Sequence, residues 1–69
     1  MKTFSEILKY ERKAQGYTQE QFSQMLGINR GTYNKYELAE KGREPKIEML
    51  IKIAKLLDVS VDYLLGLED

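Results

Sequence analysis

Sixty-nine residues without a cysteine or a histidine make one small domain, 1–69, held by an apolar core alone and worth about 3–5 kcal/mol. The missing side chains remove disulfides, thiol nucleophiles, the usual zinc ligands and the usual general base together, so neither an enzyme nor a metal or cofactor is expected. Eleven basic and eleven acidic residues cancel, no run approaches the ~20 apolar residues of a membrane span, and the first residues lack a signal-peptide core, which predicts a cytoplasmic chain with no membrane contact.

Phe4, Ile7 and Leu8 open an amphipathic helix that runs to about Gln15 and stops at Gly16. One turn further along its stripe stands Glu11, where an apolar residue is expected; a carboxylate buried there needs a partner. Thr18 and Gln21 then form a capping box that starts a second helix, with Phe22, Met25 and Leu26 as its apolar face and Gly27 as its left-handed stop. Ile28 enters a third helix that Asn29 caps, only two residues after the glycine, which leaves room for a turn but not a loop. Ser23 is small at the expected crossing. The stretch 18–37 therefore reads as a helix-turn-helix, with an ordinary helical hairpin as the weaker alternative.

After Glu37 the periodicity is lost through Gly42 and Pro45, although Leu38, Ala39 and Glu40 can prolong the third helix. Ile47, Leu50, Ile53, Ala54 and Leu57 recur at helical spacing and predict a fourth helix. Ser60 caps a short fifth one carrying Val61, Leu64 and Leu65, which Gly66 ends.

On the third helix Tyr33 and Tyr36 mark the inward side, with Glu37 beside it. Their spacing favours core packing over base stacking. The opposite side carries Gly31 and Lys35 in line, flanked by Thr32 and Asn34, with Arg30 at the N-terminal margin. Arginine or lysine can donate to guanine O6 and N7, asparagine can pair bidentately with adenine, and a threonine methyl can pack on thymine, so this side suits the edges of double-stranded DNA. Gly31 costs up to ~1 kcal/mol relative to alanine inside a helix. Either it lets the backbone sit deep in the groove or it is an exposed position under no constraint, and the two readings stand level. Between Glu20 and Glu37 the charges are Arg30 and Lys35, whereas Asp58, Asp62, Glu68 and Asp69 fill a C-terminal stretch without lysine or arginine. Phosphate contacts are expected from Thr18, Gln19 and Asn29 at the helix starts, and from Lys41, Arg43 and Lys46 on the other flank.

From Lys9 to Gly66 the chain resembles the lambdoid repressor and Cro type of helix-turn-helix regulators, the XRE family. The resemblance is carried by Arg12, Gly16-Tyr17-Thr18-Gln19-Glu20, Leu26-Gly27-Ile28-Asn29-Arg30, Lys35-Tyr36-Glu37, Pro45 and the run from Ile53 to Gly66. It implies an all-α, compact five-helix lambda-repressor-like DNA-binding domain with its helix-turn-helix in helices 2 and 3. It further implies a homodimer and a pseudo-palindromic operator with half-sites about one helical turn, ~34 Å, apart. Gln19 would touch phosphate and buttress the recognition helix, positions 30, 31 and 35 would read bases, and Arg12 would pair with Glu37. The chain departs from the pattern at Glu11, usually leucine, at Lys46, where a capping Ser or Asp is common, and in the longer spacing from Glu37 to Pro45.

Val59, Val61, Tyr63, Leu65 and Leu67 are more apolar than one short terminal helix needs and suggest a two-fold interface. Alternatively Val59, Val61 and Leu64 complete the core and Leu67 is merely exposed. The function expected is a sequence-specific transcriptional regulator, a repressor by preference. Its rival is an antitoxin or anti-regulator acting mainly on a protein partner.

Overall fold

The computed structural model describes residues 3–38 and 45–68. Its elements are α1 (Phe4–Ala14), α2 (Gln19–Leu26), α3 (Arg30–Tyr36), α4 (Ile47–Leu57) and α5 (Val61–Leu64), with no strand among the described residues. Helices of 4 to 11 residues are too short to persist alone, so their ends and their shared core must hold them.

The ends are closed by local chemistry. Thr18 and Gln21 form the expected capping box, and Asn29 and Ser60 accept from the amides of Thr32 and Tyr63. A further box joins Thr3 and Glu6 at the start of α1. Gly27 ends α2 at φ 76°. Lys46 caps α4 through no side-chain bond, as its ammonium, a donor only, must. Carbonyls at the helix ends are taken by other parts of the chain: Ser5 Oγ donates to Tyr36 O at 2.7 Å, Gln15 Nε2 to Leu57 O at 2.8 Å and Lys52 Nζ to Leu26 O at 3.0 Å.

The core gathers Phe4, Ile7 and Leu8 from α1, Phe22 and Leu26 from α2, Tyr33 from α3, Leu50, Ile53, Ala54 and Leu57 from α4, and Leu64 from α5. Tyr17, Phe22, Tyr33 and Tyr36 form a row of tilted and edge-on ring contacts through it, with centroids 5.5 to 6.1 Å apart. Ser23, almost wholly buried, occupies the α2 face that meets the core and turns its hydroxyl back onto Glu20 O.

Two apolar expectations are corrected. Met25 is 37% exposed, because its place three residues after Phe22 is the rim of the α2 stripe, where it borders an open depression with Tyr17, Gln21 and Gln24. Ile47 is 60% exposed: at 100° per residue it lies about 70° from the centre of the stripe set by Leu50, Ile53, Ala54 and Leu57. α3 ends at Tyr36 with Glu37 as its cap, so Leu38 does not prolong it, while Ala39 and Glu40 fall outside the described residues.

Glu11 finds the partner its position demands: Tyr63 Oη donates to Glu11 Oε2 at 2.7 Å and ties α5 to α1. Tyr63 is thus engaged within the chain, and this bond, foremost, raises its hydroxyl pKa above the usual tyrosine value.

The turn between α2 and α3 gives a direct test. A Cβ added at Gly27 would meet nothing nearer than the flexible Lys52 Nζ at 3.9 Å, so only the left-handed backbone penalises a side chain there. Gly27→Ala is expected to cost about 1–2 kcal/mol in urea denaturation followed by circular dichroism, and Gly27→Asn less.

Candidate nucleic-acid interface

The interface is built outward from one carboxylate. Glu37, at the end of α3, has a side chain only 2% exposed. Arg12 from α1 grips it with two bonds, Nε to Oε2 at 2.7 Å and Nη2 to Oε1 at 3.2 Å, and sends Nη1 to Tyr17 O at 2.6 Å. Tyr33 Oη donates to Oε2 and Gln19 Nε2 to Oε1, the latter at 2.9 Å. Burial pushes the Glu37 carboxyl up, but the bonds from Arg12, Tyr33 and Gln19 outweigh it and hold the group below the usual carboxylate range. Arg12 is raised chiefly by its bond to Glu37, and Tyr33 is raised by burial first and the carboxylate second.

With Tyr33 and Glu37 turned inward, α3 presents Arg30, Gly31, Thr32 and Lys35 to solvent. The acid of this helix end is buried and matched by Arg12, so the charges on the outer face of α3 are those of Arg30 and Lys35. Asn34 departs from the expected placement: it is half-buried, and its Oδ1 accepts from Gln19 Nε2 at 3.0 Å. Gln19 spends both Nε2 hydrogens on Asn34 and Glu37 and so braces α3 from α2, which leaves its backbone amide at the α2 N-terminus for an anion. Thr18 and Asn29 are exposed, and each commits an oxygen to a capping bond while keeping side-chain hydrogens to donate. Lys46 is exposed beside α4; Lys41 and Arg43 lie outside the described residues.

Residue spacing pointed to Tyr33 and Glu37 as neighbours but not to their bond, although an i, i+4 pair on a helix face stands within reach. Of the apolar C-terminal residues, Val59, Val61, Tyr63 and Leu65 are partly buried against the core, and Leu67 is 69% exposed. No group of acidic side chains that could hold a metal occurs among the described residues, and none of their helices is long and apolar enough to cross a membrane.

The helix-turn-helix family profile matches residues 8–64, and the chain belongs to that family. It is 50% identical over 62 residues to the uncharacterized HTH-type transcriptional regulator YqaE of Bacillus subtilis, covering 90% of this chain and 52% of the relative. It is 41% identical over 66 residues to YobD, another HTH-type transcriptional regulator of that bacterium, covering 96% and 57%. It is also 43% identical over 61 residues to RstR, the cryptic phage CTXphi transcriptional repressor of Vibrio cholerae, covering 88% and 53%. The chain thus spans about half the length of these relatives.

The buried pair sets a pH response. Because the Glu37 pKa is lowered on folding, its contribution is full above the unfolded value of ~4.3 and is lost as pH falls through the folded value. Urea midpoints should hold from neutral pH to about 5 and drop below it. Glu37→Ala, which strands Arg12, should cost about 3–5 kcal/mol at pH 7.

Proposed function

We propose that this member of the helix-turn-helix family is a sequence-specific, double-stranded DNA-binding transcriptional regulator, a repressor that covers a pseudo-palindromic operator as a homodimer in the cytoplasm. The observation that carries the reading is the outer face of α3, where Arg30, Gly31, Thr32 and Lys35 stand exposed on a helix bolted from behind by Glu37. Arg30 and Lys35 donate to guanine edges and Thr32 offers a methyl to thymine. The Gln19 amide, Thr18, Asn29 and Lys46, together with Lys41 and Arg43, take phosphates and fix the register. The regulator and repressor names of the similar proteins support the same reading.

Two copies would meet through the α5 end, with Leu67 and the outer parts of Val59, Val61, Tyr63 and Leu65. Binding two half-sites of such an operator requires the two α3 helices to stand one DNA turn, ~34 Å, apart. Exposed Ile47 and Ile51, side by side on α4, favour a second role in contact with another protein.

Arg30→Ala or Lys35→Ala should each cost about 1–3 kcal/mol of binding to a selected site and relax one base position, with unchanged circular dichroism. Lys46→Ala should weaken all sequences alike and lower the salt slope by about one ion. Gly31 is a helical position whose added Cβ would meet only Asn29 Oδ1, at an ordinary 3.4 Å. Gly31→Ala should therefore stabilise the free protein by about 0.5–1 kcal/mol. If the α3 backbone sits against the bases, the same change weakens operator binding. Sedimentation across micromolar concentrations, with and without DNA, tests the dimer: a monomer throughout counts against it.

A further inference from the structure

The buried ion pair reaches the outer edge of α3 through two amides. A carboxylate only accepts, so the Gln19 atom that meets Glu37 Oε1 at 2.9 Å must be the amide nitrogen Nε2. The same nitrogen faces Asn34 at 3.0 Å, and its second hydrogen requires an acceptor there, which turns Asn34 Oδ1 toward Gln19 and leaves Nδ2 on the other side. No described residue takes the Nδ2 hydrogens, and no buried side-chain nitrogen or oxygen lacks a partner among the described residues, so Nδ2 is open to solvent.

Resting on the DNA-binding reading above, we infer that Asn34 determines specificity as a donor-only reader that selects guanine over adenine, and that Gln19 is the positioning residue that sets this polarity. Guanine presents acceptors alone at this edge, N7 and O6, so an Nδ2 hydrogen aimed there meets no competing donor. Adenine presents an acceptor beside a donor, and its bidentate match needs Oδ1 and Nδ2 together at the base edge. Oδ1 is held on Gln19. The usual pairing of asparagine with adenine, which residue type alone suggests, is thereby disfavoured in this chain.

Site selection from random duplex DNA at one fixed salt, run with the parent chain, Asn34→Asp and Gln19→Met, tests this. Asn34→Asp keeps an acceptor for Gln19 and replaces the outer donor by an acceptor, so it should shift one base pair from guanine toward cytosine and thereby mark the pair that Asn34 faces. Gln19→Met keeps similar volume but removes both donors and frees the amide to turn. The adenine-to-guanine ratio at the marked pair should then rise at least about fivefold, the low end of bidentate discrimination. An unchanged ratio in a folded Gln19→Met overturns the assignment, since a purely structural Gln19 would alter affinity without altering base order. It is equally overturned if the parent prefers adenine at the marked pair, or if Asn34→Asp alters no pair, and both of these outcomes hold even should Gln19→Met fail to fold by circular dichroism. A parent chain that selects no sequence sinks the DNA-binding reading itself, and the Asn34 assignment with it.

Discussion

A carboxylate without water needs donors on every side, and Glu37 obtains them from three helices: Arg12 of α1, Gln19 of α2 and Tyr33 of its own α3. Replacing such a pair by apolar residues is often neutral or stabilising, so its net energy does not explain its presence. Geometry does. A two-toothed arginine grip and two further bonds admit one mutual placement of the helices, whereas an apolar contact tolerates sliding. The placement of the α3 outer face follows from what stands behind it.

The rest of the fold makes that placement affordable with very short helices. α3 has seven residues and α2 eight, lengths at which isolated helices are marginal in water. Side chains from elsewhere in the fold, Lys52 on the last carbonyls of α2 and Ser5 on those of α3, occupy acceptors that water would otherwise compete for. Closing helix ends from outside the helix couples each short element to the whole. The turn can then stay tight at Gly27 without a loop that would blur the angle between α2 and α3.

What could be read from the sequence was local. Thr18 with Gln21, Asn29, Ser60 and the glycine stops act over three or four residues, and the structure has each of them. The missed Thr3 and Glu6 box has the same signature and could have been found. Met25 and Ile47 misled because periodicity marks a helical face but not how wide the neighbouring helices make the covered strip. The bonds of Glu37 with Gln19 and of Glu11 with Tyr63, 18 and 52 residues apart, were out of reach for another reason. Polar pairing across 52 residues of chain leaves no periodic trace, and a tyrosine looks the same whether its hydroxyl meets water or a carboxylate.

The zero net charge is the wrong quantity by which to judge this surface. Folding removes Glu37 from it by burial against Arg12, leaving Arg30 and Lys35 on α3. It also sorts the uncharged groups by polarity. Thr18 Oγ1, Asn29 Oδ1 and Asn34 Oδ1 each accept from within the chain, while the hydrogens of these three side chains stay free for a partner. Acceptors complement those free hydrogens, and phosphate oxygens and the guanine edge are acceptors. Helix capping, which needs an acceptor at the N-cap to satisfy free amides, therefore leaves donors behind. The chemistry that starts the two helices and the chemistry that would bind a polyanion are the same set of side chains used from opposite ends.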